Sequence, residues 1–196
     1  MTVKIDFDGQ IAVLHLGDDE NRFSPAFLNE IDAAIGQAVS DGARGLVTTA
    51  GAKFYSNGLD LEWLGTHSDQ GAAYIGRVHA LLARVLTLPI PTAAAVVGHA
   101  FGAGAMLALA HDFRIMRADR GYFCLPEVDI RIPFNPGMAA LIQAKLTPQA
   151  AVASMTTGRR FGGADAQALG IVDATATEDA VTSAAVEHLR PLGGKD

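Results

Sequence analysis

The sequence predicts an α/β fold whose C-terminal third is helical, and three observations carry that expectation. Short runs rich in Val, Ile and Ala alternate with helix-period patterns as far as about residue 135, the order expected when helices cover a largely parallel sheet. From Pro136 onward the apolar spacing is almost wholly helical. No repeat, linker or low-complexity stretch interrupts the 196 residues. A single domain over 1–196 is therefore expected, with its core in 1–135 and a helical portion in 136–196.

Taken in order, Val3 to Phe7 and Ile11 to Leu16 alternate apolar and polar and read as a β-hairpin joined through Asp8-Gly9. Asp18 to Arg22 is a polar loop. Ser24 then caps a helix that has Pro25 at its first position and Phe27, Leu28, Ile31, Ala34, Ile35 and Val39 on its apolar face. Gly45 to Ala50 reads as a buried strand, Gly51 to Gly58 as a loop, and Leu59 to Leu64 and Tyr74 to Leu86 as helices. Thr92 to Val97 is small and β-branched, which fits a central strand buried on both faces. Gly102 to Ala110 is a helix of small residues. Phe113 to Met116 is a strand, and a turn at Asp119-Arg120-Gly121 leads to a short strand at Tyr122 to Cys124. Helices follow at Pro136 to Lys145, Pro148 to Thr156, Ala164 to Leu169 and Glu178 to Leu189, with a short strand at Ile171-Val172 between the last two.

Composition narrows the function classes. The formal net charge is −6 without any run of like charges, so the basic footprint of a nucleic-acid binder is missing. Local Lys or Arg residues could still hold a polyanion. A lone cysteine, Cys124, rules out an internal disulfide framework and reads as a small buried hydrophobe. The opening MTVKIDFDGQ lacks an apolar signal core and the closing LGGKD matches no retention or peroxisomal address, which reads as a cytoplasmic protein. Between Arg84 and Asp112 there is no charged residue, but Pro89, Pro91, Gly98, Gly102 and Gly104 divide the stretch. Such breakers fit a strand, turn and helix rather than a membrane span.

Common catalytic signatures are absent: no G-x-S-x-G elbow, no phosphate-binding P-loop, no H-E-x-x-H pair, and no His spacing that suits a metal. Gly102-x-Gly104 follows a strand, but Leu107 occupies the third glycine position of a dinucleotide fingerprint. Three segments carry more. Residues 54–61, FYSNGLDL, turn through Gly58 into a helix; residues 98–112, GHAFGAGAMLALAHD, form a glycine-rich turn into a second helix. Each places a glycine where N–H groups at a helix start are free to donate, although turns and close packing alone would also use such glycines. Residues 120–130, RGYFCLPEVDI, deliver the carboxylate of Glu127 in mostly apolar surroundings. Asp60 and Asp112 read as turn-holding residues.

The order and spacing of these three segments resemble the crotonase (enoyl-CoA hydratase/isomerase) superfamily across nearly the whole chain. The wording NGLDL, HDFRIMRADRG and PEVDI is most similar to its Δ3,Δ2-enoyl-CoA isomerases, particularly a plant-like branch. The resemblance implies a crotonase-like spiral of ββα units and an acyl-CoA thioester as ligand, with no separate cofactor and no metal. It implies homotrimers or hexamers as the assembly. It also places the backbone N–H groups of Leu59 and Ala103 as an oxyanion hole, with Ala103 standing where glycine is more usual. Hydratases of the family pair two glutamates; here the first position is Met106 and the second is Glu127. A lone carboxylate with an apolar partner suits moving a proton from C2 to C4 of an enoyl chain. The competing reading of Glu127 is an ion pair with Arg120 or Arg131. Asn135 stands where dienoyl-CoA isomerases carry an aspartate, which argues against that reaction.

Asn57, Gly58, Gly102, Trp63, Met106, Phe134 and Asn135 are the expected substrate-binding positions. Trp63, Leu64, Phe134 and Met138 could equally be core. Other chemistry on the same fold, a residual hydratase or a thioesterase, is one alternative function, and a non-catalytic acyl-CoA-binding protein is another. The sequence ends soon after the expected 171–172 strand and one further helix, where typical relatives carry more C-terminal helices. That difference bears on pocket closure and on assembly.

Overall fold

The computed structural model describes residues 3–51 and 53–193. Residues 1–2, 52 and 194–196 lie outside it, and with them part of the opening MTVKIDFDGQ, of the expected loop 51–58 and of the closing LGGKD.

Strands β1 (Lys4–Asp8) and β2 (Ile11–His15) pair antiparallel with Asp8 opposite Ile11. The connecting pair is therefore Gly9-Gln10, one residue beyond the expected Asp8-Gly9, because Gly9 takes the left-handed φ of 61° that the turn needs. Helix α1 (Pro25–Ser40) starts as expected, with Ser24 Oγ accepting the Phe27 N–H at 3.2 Å, a cap worth about 1 kcal/mol. Its inner face ends on Ala38 and leaves Val39 exposed, a one-position drift of the apolar stripe. Strand β3 (Gly45–Thr49) and the three-residue strand β4 (Phe54–Ser56) follow. β4 occupies part of what reads as a loop.

Helices α2 (Leu61–Thr66) and α3 (Gly71–Leu86) flank a single 3₁₀ turn at Ser68–Gln70. Strand β5 (Thr92–Val96), strand β6 (His99–Phe101) and helix α4 (Ala103–Ala110) come next. Then come strand β7 (Phe113–Arg117), the two-residue strand β8 (Phe123–Cys124) and the one-turn helix α5 (Glu127–Ile130). The C-terminal part holds α6 (Pro136–Lys145), α7 (Pro148–Thr157), α8 (Gly163–Ala168), β9 (Ala174–Ala176) and α9 (Val181–Leu189).

Six strands form one sheet in the order β1-β2-β3-β5-β7-β9, parallel from β2 onward; β4, β6 and β8 form a second, parallel sheet. β5 is buried along its whole length. Its residues TAAAV suit the place: small side chains let α4 and α9 approach closely on either side. Asp112 closes the α4–β7 corner by accepting the Thr92 N–H at 2.8 Å and its hydroxyl at 3.0 Å, the structural task expected of it.

The strand expected at Ile171-Val172 instead begins at Ala174. The carbonyl of Ile171 accepts from Arg114 Nε at 2.8 Å, and its N–H bonds Ala166 O at 2.8 Å. Neither group is free for a ladder, so pairing with β7 starts at Ile115↔Ala174. The last helix starts at Val181 rather than Glu178, because Ala180 and Val181 N–H both fold back onto the Thr177 carbonyl as a turn.

Candidate active site

Two helix-opening turns, β4 into α2 and β6 into α4, press against each other. Ser56 Oγ accepts the Gly58 N–H at 3.0 Å and donates to the Asn21 carbonyl at 2.8 Å, while Gly58 O accepts from Phe23 N–H at 2.8 Å. Gly58 sits at φ 77°, and a β-carbon on it would lie 2.7 Å from both Ala103 N and Phe101 O. On the other side Gly102 opens α4 at φ 53°, and a β-carbon on Gly104 would lie 2.3 Å from the Ser56 carbonyl oxygen. Glycine alone permits this backbone-on-backbone contact. It leaves the Leu59 and Ala103 N–H groups without a backbone acceptor among the described residues. Ala103 is accommodated because its φ is not positive. Asp60 caps α2 by accepting the Trp63 N–H at 3.0 Å, and its own N–H donates to the Tyr74 hydroxyl at 2.9 Å.

Glu127 reaches the same point from the third segment. It opens α5 directly after Pro126 and is 8 % exposed. Oε1 stands so near Gly102 that a β-carbon there would be 3.3 Å away, and Oε2 is buried without a hydrogen-bond partner among the described residues. The ion pair with Arg120 or Arg131 does not form: burial is the main influence on the carboxyl, and it pushes the pKa up to about 7. Met106, 1 % exposed and one turn along α4 from Gly102, presents apolar surface to the same space.

A cavity of about 570 Å³ lies between α3 and the 132–138 segment, with Leu59, Ala103, Met106, Glu127, Phe134 and Asn135 in its wall. That size is ordinary for a small-molecule site. A smaller cavity of about 60 Å³ holds Asn57 and Gly102 and shares Leu59, Ala103 and Glu127 with the larger one. The carboxylate and the two N–H donors thus stand where the two cavities adjoin. Gly58 lies behind this junction against the start of α4. Asn135 is the cap of α6, accepting the Met138 N–H at 3.0 Å.

Trp63, like Gly58, is an expected residue that lines neither cavity. The Trp63 ring stacks on His67 at 4.4 Å and tilts against Tyr74 at 5.1 Å, pinning α2 to α3. Conversely, Ala72, Ile75, Gly76 and His79 line the cavity from α3 and were missed. Their i, i+3, i+4, i+7 spacing was a legible signal of one helix face, but nothing in it separates a binding face from a core face. Cys124 is buried, donates to Gly158 O at 3.3 Å and has its pKa raised to about 11 by burial, so it is inert there. Among the described residues, no group of three His, Cys, Asp or Glu side chains could hold a metal ion. No described helix is long and apolar enough to cross a membrane.

Comparison with known proteins gives the family and the fold. Residues 6–195 match the family described as enoyl-CoA hydratase/isomerase. The peroxisomal enoyl-CoA delta isomerase 2 of Arabidopsis thaliana is 41 % identical over 201 residues, spanning 95 % of this chain and 83 % of that protein. Among solved structures, a probable enoyl-CoA hydratase from Mycobacterium tuberculosis superimposes with a TM-score of 0.94 at 28 % identity, covering 100 % of this chain and 84 % of the other. An apo structure of the same mycobacterial protein, described there as an enoyl-CoA isomerase, gives 0.92 at 28 % identity, covering 99 % and 85 %. Hydratase and isomerase names thus attach to one backbone, which is that of the crotonase spiral. The chain belongs to the enoyl-CoA hydratase/isomerase family.

Proposed function

We propose that the protein is an enoyl-CoA isomerase that moves a double bond from Δ3 to Δ2 of an acyl-CoA thioester. The observation that carries this reading is a single carboxylate, Glu127, set beside two unpaired N–H donors with Met106 opposite. The thioester carbonyl accepts from Leu59 and Ala103 N–H. Glu127 takes the proton from C2, and the charge spreads onto the oxygen held by the two donors. The same carboxyl returns that proton at C4, as C2=C3 forms and C3=C4 is lost. The proton balance is zero, and no water is consumed.

Two physical features support the assignment. A carboxyl with a pKa near 7 is poised to accept and release a proton at neutral pH. Met106 leaves no second carboxylate to hold and activate water, so hydration lacks its partner. The relatives named as enoyl-CoA delta isomerases support the same reaction. Replacing Glu127 by Gln keeps size and shape but removes the base. Isomerisation of 3-enoyl-CoA, followed by ultraviolet absorbance of the conjugated product, should fall about 10²–10⁴-fold, with acyl-CoA affinity nearly unchanged. Undiminished turnover in that variant would sink the mechanism.

A further inference from the structure

Helix α3 carries one stripe that lines two cavities. Ile75, Gly76 and His79 face the catalytic cavity of about 570 Å³, and His79, Leu82, Ala83 and Leu86 face a second of about 190 Å³. The second is completed by Gly137 and Leu141 of α6. His79 is the one residue common to both walls. We propose that the His79 ring is the partition that sets acyl-chain length, and that a chain outgrowing the first cavity turns the ring aside and continues along α3 toward Leu86.

Three observations support a ring that can move. Its Nε2 is buried without a hydrogen-bond partner among the described residues, so turning it breaks no bond and gives up a position in which the nitrogen is held unpaired at a cost. Across from it stands Gly137, where even an added β-carbon would lie 3.7 Å from His79 Cε1; the glycine leaves room beside the ring. Finally, the second cavity is almost wholly apolar, and its outer end is Leu86, 44 % exposed. An alkyl tail is the occupant such a wall suits, and the reacting end of that tail is already placed by the first cavity. The inference rests on the acyl-CoA reading above.

Calorimetric binding of saturated hexanoyl-CoA and dodecanoyl-CoA tests it without requiring turnover. His79→Ala should strengthen dodecanoyl-CoA relative to hexanoyl-CoA by about tenfold or more, since each newly buried methylene contributes about fourfold. His79→Phe keeps the bulk and removes the unpaired nitrogen, so the partition should hold harder and the ratio should move the opposite way. A ratio unchanged in both variants, or shifted the same way in both, overturns the partition. If the wild-type protein binds hexanoyl-CoA and the ratios do not move, this inference alone falls; if it binds neither ligand, the acyl-CoA reading falls and takes the partition with it.

Discussion

Glu127 concentrates the conflict between stability and function in one side chain. Its carboxyl is buried with one oxygen unpaired, and its pKa is raised to about 7. The neutral form is thus the one the fold prefers. Below about pH 4 both folded and unfolded chains carry it protonated, and it costs nothing. As pH rises toward 7 the unfolded chain ionises first, so the folded state loses relative stability; above 7 the full cost applies. Glu127→Gln escapes that cost and should be more stable than wild type at pH 8 by up to about 3 kcal/mol. The gap should close near pH 4. Urea unfolding of both proteins at the two pH values checks this. The isomerisation rate of the wild type should fall with an acid limb near pH 7, as the base is titrated away. A variant no more stable than wild type at pH 8 would mean that the carboxylate is solvated in the fold.

Among the elements, the contact between the β4–α2 turn and the start of α4 decides whether the N–H donors converge. Gly58 is in the left-handed region and its missing side chain is the space that Ala103 N and Phe101 O occupy. Gly58→Ala therefore adds both a strained φ and a clash with backbone that cannot yield. We expect a stability loss of about 1–3 kcal/mol. The isomerisation rate should fall by about 10²–10³, the usual effect of losing one oxyanion donor. Thermal melts and steady-state kinetics read the two effects separately, and a folded Gly58→Ala protein with wild-type kcat would show that the Leu59 N–H does not act. The same contact was foreshadowed in the sequence, where glycine precedes Leu59 and Ala103 alike. The one-turn helix α5 was not: four residues are too few to show a period, and the left-handed Arg131 that ends it is a non-glycine exception.

Across the whole molecule, the helical C-terminal portion is tied to the sheet by Arg114. Its guanidinium is almost fully buried. It donates from Nε to Ile171 O and from Nη1 to His111 O, and Nη2 lies 3.2 Å from Asp173 Oδ2. Desolvation lowers its pKa and Asp173 opposes that shift. Truncation by Arg114→Ala strands the Ile171 carbonyl, while His111 O keeps Lys145 Nζ at 3.0 Å and Asp173 keeps the residue 114 backbone N–H at 2.7 Å; the loss should be about 1–3 kcal/mol, measurable by denaturant unfolding. Arg114→Lys should recover only part of it, since one ammonium cannot span the fork of acceptors. Equal stability of Arg114→Ala and wild type would remove this tie from the account.

What the sequence determined by itself was local or modular. The central strand followed from TAAAV, the first helix from Ser24-Pro25, and the family from three segments at set separations. Glu127 stood out because it follows Pro126 in mostly apolar surroundings, and Met106 because of the position it fills. Tertiary structure decided what depends on neighbours distant in the chain. It turned Ile171 and Val172 away from the sheet because Arg114 claims a carbonyl. It packed Trp63 against Tyr74 and His67 instead of the cavity, and brought the α3 stripe with His79 into the wall. A helix face has the same period whether it meets core, cavity or solvent; only the packing of α3 and α6 against α4 leaves the gap that makes this one a cavity wall.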